Sequence, residues 1–322
     1  MPEFKSWPEL SAAVATADIL AETELDDLDS VYLGQPYCLK VSGNLLRNLD
    51  ELSDSIKMIQ LSGRRAYVTT PIIPESKDFD SVEAIVSRAA AFGADAVEIH
   101  DAGVLRWTRK NFPDLPVHLS SFLNIYQPET AIFYKDMGVT RIVPANELLE
   151  SEVELIKEQV ERIEFAVPVH GSLPLGMAYS CLLRRNLPGE EMDPCRQQCA
   201  EVHDLDMGDW KMRCVGTSLV SADDFSMIEF MPALISKGFD GFRLETHFDE
   251  AERISEIANI YRNALVEMAS RGDYPANDLK RHLQEVCGDL SNGWRYGLSG
   301  KDYISSLDED PFMAAKKAMD KS

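Results

Sequence analysis

The chain alternates short β-rich runs with segments of helical period, and this alternation limits it to parallel sheets joined by crossover helices. The candidate strands are Glu3 to Trp7 (weakly patterned), Ser30 to Gly34, Ala66 to Thr70, Ala96 to His100, Val117 to Ser120, Arg141 to Pro144, Glu164 to Val169, Ser218 to Val220 and Gly241 to Leu244. Most are followed by helical sequence, as Asp80-Ser81 precedes Val82, Ile85 and Val86. Three phrases, "FGADAVEIHDAG", "DMGVTRIVPANE" and "SKGFDGFRLETH", each set a glycine after a helix, then an apolar strand, then polar residues at its end. Such units predict an α/β fold, a (β/α) TIM-barrel-like domain over residues 1–270, followed by a polar C-terminal extension over 271–322.

Composition narrows the function. With 32 Lys+Arg against 54 Asp+Glu, the net charge is −22. Phosphate contacts need local Lys or Arg, so nucleic acid is a disfavoured partner. No run approaches the length of a membrane span and the N-terminus has no signal-type pattern, so the expected location is cytoplasmic.

In a barrel of this kind the loops after the strands form the active face. That gives weight to Cys38, His100-Asp101, Ser120-Ser121, Asn124, Asn146-Glu147, His170, Glu245 and His247, although Ser, Asn and Asp at these places also cap helices. The cysteines are the sharper signal. Cys181, Cys195 and Cys199 fall in one polar loop, within residues 170–200, as Cys-x13-Cys-x3-Cys. Thiolates gathered there point to a soft metal, either structural zinc or an iron–sulfur cluster. A single close pair with scattered companions suits a cluster better than a zinc knuckle. Cys38 is the natural fourth ligand because it follows a strand end; Cys214, before an apolar strand, and Cys287, in a helical segment where core packing is expected, compete with it. No HExxH motif or fixed Ser-His-Asp set supports a protease.

The phrases "VYLGQPYCLK", "SSFLNIYQ", "IVPANEL", "IEFAVPVHGSLPLGMAYSCLLRR…DPCRQQC" and "SNGWRYG" together resemble the collagenase-like peptidase family, peptidase family U32, and within it the cluster-binding, UbiV-like branch. The resemblance covers most of residues 1–300. It implies a 4Fe-4S cluster held by Cys38, Cys181, Cys195 and Cys199, and a role with a homologous UbiU-like partner, as a heterodimer, in oxygen-independent hydroxylation of a quinone precursor during ubiquinone biosynthesis. The family also includes proteins that hydroxylate RNA bases and others named as proteases. The His170-Gly171 step follows the broader family more than that branch.

Overall fold

The computed structural model describes residues 7–39, 42–178, 181–183, 203–208, 210–298 and 300–305. Eight parallel strands close on themselves: β1 (Glu9–Val14), β2 (Ser30–Leu33), β3 (Arg65–Thr69), β4 (Ala96–Ile99), β5 (Val117–Leu119), β6 (Arg141–Ile142), β7 (Glu164–Gly171) and, late in the chain, a strand at Gly241–Glu245 that pairs with both β7 and β1. Those two pairings seal the barrel. The first strand lies at Glu9–Val14 instead of Glu3 to Trp7, of which residues 3–6 fall outside the described set. Its sequence ELSAAV carries small and polar residues that mask a fully buried strand.

Helices α1 (Ala17–Glu22), α2 (Leu49–Leu61), α3 (Phe79–Ala91), α4 (Ala102–Asn111), α5 (Pro128–Asp136) and α6 (Glu150–Gln159) wall the first six units. In α3 the buried residues Val82, Ile85, Val86 and Ala89 recur at helical spacing and form one face against the sheet. Burying each such branched side chain stabilises the fold by roughly 1.5–3 kcal/mol. The glycines of the three repeated phrases, Gly93, Gly138 and Gly238, all have positive φ just past a helix end, where any other residue is strained.

After β7 the pattern changes. The run Ser218 to Val220 is a strand, but it belongs to a separate antiparallel sheet of β8 (Pro174–Met177), β9 (Asp204–Asp206), β10 (Lys211–Val215) and β11 (Ser218–Ser221), in the order β8-β11-β10-β9. Next come β12 (Asp224–Ser226), α7 (Met231–Ser236) and the eighth barrel strand, β13 (Gly241–Glu245). The chain then runs through α8 (Ala251–Arg271) and α9 (Ala276–Cys287) to β14 (Leu290–Ser291), which pairs in parallel with β12. Gly171 permits the seam between β7 and β13: at φ +109, an added Cβ would stand 2.4 Å from the Glu245 carbonyl oxygen.

Candidate active site at the barrel mouth

Barrel lumens are usually filled by branched apolar residues, whereas this one is aromatic and charged. Tyr32 and Tyr67 pack at 4.9 Å between ring centroids, and the Tyr32 hydroxyl is hydrogen bonded to His118 Nδ1 at 2.9 Å. Toward the carboxyl ends of the strands, the Arg243 guanidinium lies 4.1 Å from the Tyr32 ring centroid, pairs with Glu98, and reaches Glu245 Oε1 at 3.0 Å. All three charged residues are buried. Burial alone would raise both carboxyls, but Arg243 outweighs it: Glu98 is held below its ordinary range and Glu245 at about 2.

Two imidazoles flank this group. His100 Nε2 lies 2.8 Å from Thr69 Oγ1, which in turn donates to Glu98 Oε2 at 3.0 Å. Burial depresses His100 to about 4, so the ring is neutral near pH 7. His247 sits against Glu245, Nε2 to Oε2 3.5 Å, and meets Tyr37 edge-on. The Nδ1 atoms of both rings are buried without a hydrogen-bond partner. With Ser120, Ser121 and Phe122 they line a pouch of about 10 Å³, room for little more than one water-sized group. Ser121, Phe122 and Pro174 also line a neighbouring chamber of about 240 Å³, continued by Asn146, Leu175 and Met177.

Of the polar strand-end residues singled out from sequence, His100, Ser120, Ser121, Glu245 and His247 meet at the pouch, and Asn124, Asn146 and Glu147 line the chamber. Helix capping accounts for Asp101, whose carboxylate accepts from Val104 N at 2.9 Å. Sequence reasoning missed Glu98 and Arg243. Their signal was available: each is a charge inside an otherwise apolar strand core, Glu98 in "AVEIH" and Arg243 in "GFRLE".

Of the described cysteines, Cys38, Cys181 and Cys214 lie on or near the sheet that follows β7. An added Cβ on Gly216, in the β10–β11 turn, would stand 2.8 Å from Cys38 Cβ and 3.6 Å from its sulfur. Cys214, on β10, has its thiol pushed up by burial and by the proximity of Cys181. Cys195 and Cys199 lie outside the described residues. Cys287, expected as core filler, instead faces His170, with Sγ to Nε2 3.5 Å, and Asp224 Oδ2 is 3.9 Å from the same nitrogen. Ligand atoms of these three residues lie within 4.8 Å of one another, a donor set that can hold a metal ion. Burial keeps His170 neutral, lowering it to about 4, and pushes the Cys287 thiol up to about 12, while Arg253 pairs with Asp224. A metal would therefore have to displace a proton and a guanidinium.

The family model for peptidase family U32 matches residues 16–304. The chain belongs to peptidase family U32. It is 31% identical over 193 residues to tRNA hydroxylation protein P of Escherichia coli, covering 60% of this chain and 42% of that protein. It is 26% identical to tRNA hydroxylation protein P2 of Bacillus subtilis, covering 84% and 89% of the two chains. The solved U32 peptidase Mk0906 aligns with a TM-score of 0.48 at 16% identity, over 78% of this chain and 98% of that one. This U32 chain spans less than two thirds of the length of several of its curated relatives, 42% and 60% of two of them. Among its described residues no helix is long and apolar enough to cross a membrane.

Proposed function

We propose that this chain is the cluster-bearing component of an oxygen-independent hydroxylase of the UbiV type, working with a UbiU-like partner on the ring of a quinone precursor in the cytoplasm. The observation that supports the reading is the approach of sequence-distant cysteines to one hairpin: Cys38, from the loop after β2, lies against Gly216, two residues from Cys214, whose thiol interacts electrostatically with Cys181. Cys38, Cys181, Cys195 and Cys199 would hold a 4Fe-4S cluster, which, with all four sites taken by thiolate, supplies electron transfer and not an open iron. The mouth residues would bind and orient the ring, with Phe122, Leu175 and Met177 excluding water from the chamber.

The names of the relatives favour a second reading, hydroxylation of an RNA base. The charge of −22 weighs against it, because a polyanion would have to approach a strongly acidic chain. The test is purification without air. A brown protein with about four irons per chain is expected, with iron lost in Cys38→Ala, Cys181→Ala, Cys195→Ala and Cys199→Ala. Retention of full iron by Cys38→Ala with loss in Cys214→Ala would reassign the fourth ligand, and iron-free protein would overturn the reading. Saturable binding of total RNA on filters at low salt would move the substrate to RNA.

A further inference from the structure

Among the described residues, His170, Asp224 and Cys287 draw three kinds of metal donor together, and none of them lines the pouch or the chamber at the mouth. They come from separate elements: His170 from β7, Asp224 from β12, which pairs with β7, and Cys287 from the last position of α9, just ahead of β14. The tautomer of His170 is set by its other nitrogen. The Tyr261 hydroxyl gives its one proton to the Val169 carbonyl at 2.7 Å, so its lone pairs accept from Ser226 at 3.1 Å and from His170 Nδ1–H at 3.4 Å. Nε2 then carries a lone pair, and it is Nε2 that lies 3.5 Å from Cys287 Sγ and 3.9 Å from Asp224 Oδ2. A partner that holds the far imidazole nitrogen protonated is what orients a histidine ligand. Tetrahedral zinc sets its sulfur and nitrogen ligands about 3.6 Å apart and its nitrogen and oxygen ligands about 3.4 Å apart. The first edge is in place, and a small shift of the carboxylate closes the second.

The donor chemistry selects the ion. Thiolate and imidazole disfavour calcium and magnesium, which take oxygen ligands, and suit zinc. A dication held by one thiolate and one carboxylate is neutral overall, as a site with His170 and Asp224 buried requires. Two groups give way to it. The Cys287 proton leaves to solvent from a thiol that is only half-buried. Arg253 passes from Asp224 to Asp249, whose Oδ1 already lies 3.2 Å from its Nε. We propose that His170, Asp224 and Cys287 bind one zinc ion, with water in the fourth position, and that this ion clasps the end of α9 to the barrel wall at β7 and β12. The site shares no residue with the cysteines assigned to the cluster and does not depend on the hydroxylase reading.

The test is zinc titration of the full chain, purified without air, with zinc and iron counted by atomic emission after desalting. The native chain should retain a zinc ion that Cys287→Ser and Asp224→Asn lose while keeping whatever iron the native chain holds, and that Cys38→Ala retains. Tyr261→Phe removes the acceptor for Nδ1–H and should weaken zinc binding about tenfold. Arg253→Gln removes the competitor for Asp224 and should tighten it about tenfold, the measure of one hydrogen-bonded charge. Circular dichroism checks each fold, and zinc should raise the thermal midpoint of the native chain while leaving that of Cys287→Ser in place. No zinc retained by the native chain, zinc unchanged in Cys287→Ser, zinc lost in Cys38→Ala, or weaker binding in Arg253→Gln would each overturn the proposal.

Discussion

The floor and the mouth of this barrel both carry buried guanidinium–carboxylate pairs, and they differ in how completely their neighbours are satisfied. At the floor, Glu9 is bonded to Ser30, reached by Arg141 at 2.6 Å and by Arg65 at 2.7 Å, while Arg141 also holds Glu164. At the mouth, Arg243 bridges Glu98 and Glu245, but the imidazoles beside them keep Nδ1 atoms without partners. The same chemistry thus serves two ends. A closed network fixes strand register, and an open one leaves capacity for a ligand.

The largest expected effect comes from removing each guanidinium. Arg243→Leu leaves two buried carboxylates without a guanidinium, and Arg141→Leu leaves one buried carboxylate, Glu9, with only the half-exposed Arg65. Loss of one partner of a buried pair costs about 3–5 kcal/mol, and urea unfolding should place Arg243→Leu at the upper end. A larger loss for Arg141→Leu would reverse the assignment of the two ends.

Acid titration comes next. His100 and His170 have folded pKa values depressed to about 4, so below about 6.5 the unfolded chain takes up protons the folded chain refuses. Stability should fall from pH 6.5 toward 4, each histidine contributing roughly 3 kcal/mol at 1.36 kcal/mol per unit. Glu245, held at about 2, is stabilising above the ordinary carboxylate range and loses that contribution as pH drops from about 4.5 toward 2. His100→Gln should flatten the upper phase of the urea-midpoint profile and Glu245→Gln the lower; an unchanged upper phase would show that His100 is not buried neutral.

Gly171→Ala tests the seam that shapes the mouth. Its Cβ would collide with the Glu245 carbonyl, and a loss of about 2 kcal/mol is expected in thermal unfolding. The smallest effect belongs to Asp101→Ala, which removes the cap of α4 at about 1 kcal/mol.

Much of the architecture was legible because it is local. Gly93, Gly138 and Gly238 mark helix ends by a backbone angle that glycine tolerates, and the strands after them are short apolar runs. His100, Ser120, Glu245 and His247 were legible because they follow strand ends. What escaped is non-local. Glu98 and Arg243 lie 145 positions apart, and only barrel register makes them a pair. Cys287 read as helix filler because nothing along α9 announces His170, 117 positions earlier. The antiparallel sheet escaped because "KMRCV" has neither a continuous apolar run nor a turn signal of its own.

The seam between β1 and β13 orders events on the ribosome. Glu9 and Gly241 are partners across it, so the cylinder cannot close until residues 241–245 have emerged. At about 5–20 residues per second, the nascent chain holds Glu98 for many seconds before its counter-ion is synthesised. Newly made chains that stall before residue 243 would therefore carry an open, edge-exposed sheet with an uncompensated carboxylate, the form that chaperones and proteases recognise first.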